Sequence, residues 1–373
     1  MNTKERFMKA LHLEPVDRPP VAAVVTGITV WMMERVGIFW PEAHTDSAKM
    51  ADLAASVWEY GQLECIKLPF GMTIEVEALG APIDYGTRDT LPTEVKHIYN
   101  HPDELTIPDD FFDRGRVGTV LKAITRLRQR YDSEVPIVSS IVGPFTLAAK
   151  LFGFDNFFVW LVTEPDYVHQ IMGTMTTLAI KYANAQVEAG ADAIVIGGAS
   201  CSGDLISSDT YRDFIVPYHT RLCRNVAAPT IMHICGKSTS HAPCMADTGA
   251  TAYSFDEGAD ISVLRQYLTG KISLAGYVPT VEVLLNGTPE LVYKASLECL
   301  QNNVDILAPG CSLPPHVSFE NVAAMVQAAD DWGQSKGVAD SVQGTIAGAK
   351  SRSNGSRANK SARRSRKERP KNS

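Results

Sequence analysis

Apolar positions along this chain follow two periods in turn. Short runs of six to eight residues, rich in Val, Ile and Leu, are separated by longer stretches in which apolar residues repeat every three to four positions. The short runs are PVAAVV (20–25), LECIKLPF (63–70), VPIVSSIV (135–142), DAIVIG (192–197), PTIMHIC (229–235), TAYSFD (251–256), KISLAG (271–276) and VDILAPG (304–310). Helical periods cover VGTVLKAITRLRQRY (117–131), a long segment from about Pro165 to Glu188, and SSDTYRDFIVPYHTRLCRNV (207–226). Two more cover TPELVYKASLECLQNN (288–303) and FENVAAMVQAADDW (319–332). The first fifteen residues, MNTKERFMKALHLEP, read as an amphipathic helix ahead of the first run. Eight strands, most followed by a helix, predict an α/β fold of the (β/α)8 TIM-barrel type with an N-terminal helical extension. The competing doubly wound sheet lacks its signals: no G-x-G-x-x-G follows the first run, and there is no P-loop. The stretch from about Gly71 to Ile107 is weakly patterned and predicts an excursion from the barrel.

Composition narrows the class. With 45% hydrophobic and 21% charged residues the chain reads as an ordinary soluble globular protein. No apolar run approaches the roughly eighteen residues of a membrane span, and the N-terminus has no apolar segment of a secretory signal. Seven scattered cysteines, an odd number, fit a reducing cytoplasm better than a disulfide framework. Charge is unevenly placed. Residues 347–373 hold ten Lys/Arg and one acid, Glu368, a net +9 in a chain of net −7, so the remainder carries −16. That segment has no apolar side chain able to build a core. It predicts a disordered basic tail over 336–373, beyond a barrel domain spanning 1–335. The tail is either an arm for an acidic partner or simply solvated. The acidic barrel argues against nucleic acid, since a duplex binder carries positive charge on its folded surface.

The end of the fifth run raises the chemical question. In TIMHICGKST (230–239), His233 and Cys235 stand two residues apart just before a glycine. Residues i and i+2 of a strand face the same way, so both side chains project together. Reacting groups of such barrels sit at the C-terminal ends of strands. Cys311 directly follows the eighth run, in VDILAPGCSLPP. One imidazole and two thiolates are the ligand pattern of a catalytic zinc with one position open. A structural zinc favours close cysteine pairs, and the chain has no C-x-x-C. His-x-Cys alone also suits a hydrogen-bonded pair in a core. Cys65, Cys223, Cys244 and Cys299 fall on strand or helix patterns and read as core. Cys201, in GGASCSGD, stays unassigned. The sixth run ends in SFDE, where Asp256 or Glu257 is a candidate labile fourth ligand, or else a supporting or surface acid.

These residues bring out a resemblance. RFMKALHLEPVDRPP, FWPEAHTDSAKMADLA, VGPFTLAAKLFG, EAGADAIVI, SGDLISSDTYRDFIVPYH, MHICGKST, VEVLLNGTPELV, APGCSLPP and SFENVAAMVQAA together cover nearly all of residues 5–332. In them the chain resembles the uroporphyrinogen decarboxylase superfamily, and more narrowly the methylcobamide:coenzyme M methyltransferases of methanogenesis from methanol and methylamines. The resemblance implies a TIM barrel with a zinc held by His233, Cys235 and Cys311. It implies transfer of a methyl group from methyl-Co(III) corrinoid to the thiol of coenzyme M, activated on the metal. The decarboxylase branch carries Met-Arg-Gln-Ala-Gly-Arg after its first strand. Here that segment is VAAVVTGITVWMMERVG, with no arginine before Arg35.

A chain that holds cobalamin itself is expected to show Asp-x-His-x-x-Gly. DYVHQIMG (166–173) has the wrong spacing, so the corrinoid is expected on a separate partner protein. Candidate substrate-binding groups around the barrel mouth are Glu75 and Glu77 in TIEVEALG, Thr146, Ser202 and Asp204, with Lys237 as a cation for the sulfonate. Loop and helix capping is the plainer role for several of them. Homocysteine as acceptor, and a tetrapyrrole decarboxylase, are the alternative functions.

Overall fold

The structure, a computed structural model, describes residues 1–335; the basic tail expected over 336–373 lies outside the described residues. The chain divides into two compact units, Met1–Ala329 and Asp330–Ser373. Within the second, 330–335 are helical. The first holds the barrel.

Its strands are β1 (Ile66–Lys67), β2 (Ile83–Asp84), β3 (Thr93–Glu94), β4 (Ile137–Val142), β5 (Ala193–Gly197), β6 (Thr230–His233), β7 (Ala252–Ser254), β8 (Ser273–Val278) and β9 (Ile306–Pro309). Seven of them form one parallel sheet in the order β1-β4-β5-β6-β7-β8-β9. The first expected strand, 20–25, closes the ring. Leu307 N–H donates to Pro20 O (2.9 Å), Ala22 N–H to Leu307 O (2.9 Å), and Glu64 N–H to Val21 O (2.6 Å). So residues 20–25 bridge β9 to the segment that becomes β1, and the architecture is a (β/α)8 barrel. This stave pairs too briefly to form a regular strand: its one ladder bridge is Val21 to Leu307.

Alternation fills the interior. Ala22, Val24, Cys65, Val138, Ala193, Val195, Ile231, Ala252, Ala275 and Ile306 share one buried cluster, drawn from all eight staves. The N-terminal helix, Thr3–Leu11, adds Phe7, Ala10 and Leu11 to it. Charge holds that helix in place: Arg6 forks onto Asp17 (2.7 and 2.8 Å) and also reaches the buried Glu64, while Lys4 pairs with Asp192 (2.7 Å). The interior is therefore packed below, and chemistry is left to the opposite end.

The helices fall close to the expected segments: Val117–Tyr131, Pro165–Ala189 and Pro289–Gln301. The segment 207–226 differs. It is two helices, Ser208–Phe214 and Val216–Asn225, because Pro217 lacks the N–H that a continuous helix needs. The excursion at 71–107 holds a short helix, Ile74–Ala78, and the antiparallel hairpin β2–β3. Arg116 fastens it: its guanidinium donates to Glu77 (2.5 Å) and Thr73 (2.7 Å) and lies 5.0 Å from the Tyr85 ring centre. Among the described residues no single helix is long and apolar enough to cross a membrane.

Candidate metal centre and its cavity

His233 is the last residue of β6 and Ser254 the last of β7, and the register pairs them directly. Neighbours in a parallel ladder face the same way, so the Ser254 hydroxyl meets His233 Nδ1 at 3.1 Å. That bond leaves Nε2 turned into the barrel mouth, where it stands 3.6 Å from Cys311 Sγ. Cys235 continues the alternation past the strand end. The ligand atoms of His233, Cys235 and Cys311 all lie within 4.8 Å of one another, the one such group of His, Cys, Asp or Glu among the described residues. His233 is buried and both cysteines are half-buried. Cys235 donates to Cys311, which lowers the Cys311 thiol to about 7 and holds Cys235 above the usual thiol range.

Two carboxylates hold the ligand loop from outside. Asp256 Oδ2 accepts the Gly236 N–H (2.7 Å) and its Oδ1 accepts the Gly258 N–H (2.9 Å). Asp204 Oδ2 accepts the next amide, Lys237 N–H (3.0 Å), and this hydrogen bond is the main reason its carboxyl lies below the usual range. Gly236 has φ +78°, and a Cβ there would stand 2.5 Å from Asp204 Oδ2 and 2.6 Å from Ser202 Oγ. Only glycine combines that backbone with that closeness. Asp256 therefore spends both oxygens on backbone amides. Glu257 Oε2 instead lies beside Gly310, the residue before Cys311: a Cβ on Gly310 would be 2.9 Å from it.

The three candidate ligands edge a cavity of about 230 Å³. The excursion builds one wall of it with Met72, Ile74, Leu91 and Pro92. Of the expected substrate groups, Glu75 lines it, fully buried, with Oε1 accepting the Val142 N–H (2.8 Å) and burial pushing its carboxyl up to about 7. Glu77 is not in the lining; it is bound to Arg116 and Tyr85. Lys237 points to solvent, 80% exposed, and pairs with Asp204 (3.4 Å). Thr146 is buried and accepts the Ser200 N–H (3.2 Å). Cys201 is buried, and burial raises its thiol. Cys65 and Cys299 are buried, while Cys223 and Cys244 are half-buried.

Sequence reasoning missed Lys67. It lies in β1, two residues after the inward Cys65, so the same alternation aims it inward. It lines the cavity, fully buried, and burial lowers its ammonium to about 7. The signal was present as a lysine inside the apolar run LECIKLPF.

Comparison with known proteins shows the family of the chain. The uroporphyrinogen decarboxylase (URO-D) family model matches residues 2–332. The methylcobamide:CoM methyltransferase MtaA of Methanosarcina barkeri is 35% identical over 331 residues, 88% of this chain and 98% of that protein. The methylcobamide:CoM methyltransferase MtbA of Methanosarcina mazei is 36% identical over 333 residues, again 88% and 98% of the two chains. A solved methyltransferase from Methanosarcina mazei superposes with a TM-score of 0.87 at 36% identity, covering 89% of this chain and 99% of that one. Fold, matched length and identity agree: the chain belongs to the uroporphyrinogen decarboxylase family and, within it, to the methylcobamide:CoM methyltransferases.

Proposed function

We propose that the protein transfers a methyl group from a methylated corrinoid protein to the thiol of coenzyme M, at a zinc held by His233, Cys235 and Cys311. The observation that carries this reading is the convergence of one imidazole nitrogen and two thiols within 4.8 Å at the edge of a small cavity. The donor set fits zinc: soft thiols, an imidazole whose second nitrogen is already bonded, and three ligands rather than four. Zinc bound there supplies the Lewis acidity that makes an acceptor thiol ionise at neutral pH. The chain's own residues do the rest. Ser254 fixes which imidazole nitrogen faces the site. Asp204 and Asp256 fix the loop that carries Cys235. With both Asp256 oxygens committed, Glu257 is the candidate for a displaceable fourth ligand. Apolar walls keep water from competing with the acceptor.

Cavity size supports a small acceptor. A cavity of about 230 Å³, with its polar groups at one edge and one wall, suits a small acceptor such as coenzyme M. The corrinoid is assigned to a separate protein docking at the barrel mouth, because the chain has no Asp-x-His-x-x-Gly to hold it. Homocysteine is the second reading, because Glu75 in the lining offers its ammonium a carboxyl group. Burial raises that carboxyl and so weakens its pull on an ammonium. All seven cysteines are free, in keeping with a cytoplasmic enzyme. The test is methyl transfer from free methylcobalamin by zinc-loaded protein, with coenzyme M and homocysteine compared. Full activity of metal-free protein, or no transfer to coenzyme M, would sink the proposal.

A further inference from the structure

The cavity's one cation has no charged partner. Lys67 is the only Lys or Arg among the described lining residues, and it is 4% exposed. Its ammonium donates to the Pro69 carbonyl (2.6 Å) and, among the described residues, makes no salt bridge. Glu75, the nearest acid to influence it, commits Oε1 to the Val142 N–H. Most of the remaining lining is apolar, including Val25, Met72, Ile74, Leu91 and Ile141. A buried ammonium with donors to spare is costly unless something pairs with it. Such a group inside a functional cavity marks where an anion sits.

Position along the barrel sharpens the point. The ligand residues leave from the ends of β6 and β9, while Lys67 ends β1 and Glu75 is tied to the end of β4, neighbours on another side of the ring. The cavity thus has a thiol-activating edge and a separate cationic wall. We infer that Lys67 anchors the acidic end of the acceptor, binding the sulfonate of coenzyme M while its thiol reaches His233, Cys235 and Cys311. The inference rests on the proposed function for the identity of the acceptor. It replaces Lys237 in that role, since Lys237 lies in solvent and is paired with Asp204. A sulfonate is ionised at every working pH and so can pair with the Lys67 ammonium, while burial disfavours a charge on Glu75 beside it.

The test separates the anion from the thiol. Ethanesulfonate carries the acidic end alone, and ethyl methyl sulfone is its neutral counterpart. Ligand-observed NMR on the purified protein should show ethanesulfonate binding about 10- to 100-fold tighter than the sulfone, the range of a charge-assisted hydrogen bond. Equal binding of the two by the unmutated protein would overturn the inference without any variant having to fold. In Lys67→Met and Lys67→Gln the ethanesulfonate advantage should vanish. The ratio of kcat/KM for coenzyme M over 2-mercaptoethanol should fall by about 30-fold or more, mostly through KM. A folded Lys67→Met that keeps the wild-type ratio would also overturn it. The two readings fail separately. Transfer to coenzyme M with no dependence on Lys67 removes the anchor alone. Ethanesulfonate binding through Lys67 with no methyl transfer removes the reaction alone.

Discussion

Asp256 offers the sharpest test of how the loop carrying Cys235 is held, because both its oxygens accept backbone N–H groups. Each of its oxygens accepts one backbone N–H, at 2.7 Å from Gly236 and 2.9 Å from Gly258. A hydrogen bond to a charged acceptor contributes about 1.5–3 kcal/mol. Asp256 is only half-buried, so the low end applies, about 1.5 kcal/mol per bond. Asp256→Asn keeps one good acceptor and loses the other, since its NH2 would face an N–H. Asp256→Ala loses both. If the loop must be ordered to present Cys235, zinc affinity should weaken by up to about tenfold in Asp256→Asn and up to about a hundredfold in Asp256→Ala. Competition against a chelator of known affinity measures both. X-ray absorption should meanwhile show two sulfur ligands in every variant, with the same light-atom shell. Two results would refute the reasoning: unchanged affinity in Asp256→Ala, or loss of zinc as complete as in Cys235→Ala together with a missing oxygen ligand. The second would make Asp256 a ligand.

The remaining predictions follow from the same geometry. Cys235→Ala and Cys311→Ala should each lower bound zinc from about one per chain to near zero while circular dichroism stays that of the wild type, because both residues lie in loops outside the packed interior. Ser254→Ala should weaken zinc binding by about 10- to 100-fold through the loosened imidazole, read by the same chelator competition. Ethanesulfonate binding should weaken as pH rises through about 7. Burial has lowered the Lys67 ammonium to that value, so it loses its proton above it, and Glu75, raised by burial to about 7, gains its negative charge over the same range. Cys65, which also faces Lys67, is raised to about 12 by burial and stays neutral throughout; NMR titration between about pH 6 and 8 checks the slope. Deleting residues 336–373 should leave turnover with free methylcobalamin unchanged, since that segment carries no residue type the metal chemistry needs.

The residues that the sequence determines by itself are those governed by local period. Alternation within short apolar runs located all eight staves of the barrel, and in PTIMHIC it put His233 and Cys235 on one face. The strand-end position of Cys311 added the third candidate ligand. Local chemistry also had limits within reach of inspection: Pro217 divides the 207–226 helix, and its missing N–H is a property of the residue alone. What the tertiary structure decided is whatever depends on which strands are neighbours. Ser254 bonds His233 because β6 and β7 pair in that register, twenty-one residues apart. In the sequence Asp204 is a candidate substrate group and Asp256 a candidate fourth ligand, but in the structure both accept consecutive amides of one loop, because β5 and β7 flank β6. Lys237, next to the ligand loop in sequence, is turned outward, while Lys67, far from it in sequence, shares its cavity. Sequence distance fixes direction along one strand. Barrel closure fixes which directions meet, and the partner for an anion is set by that closure.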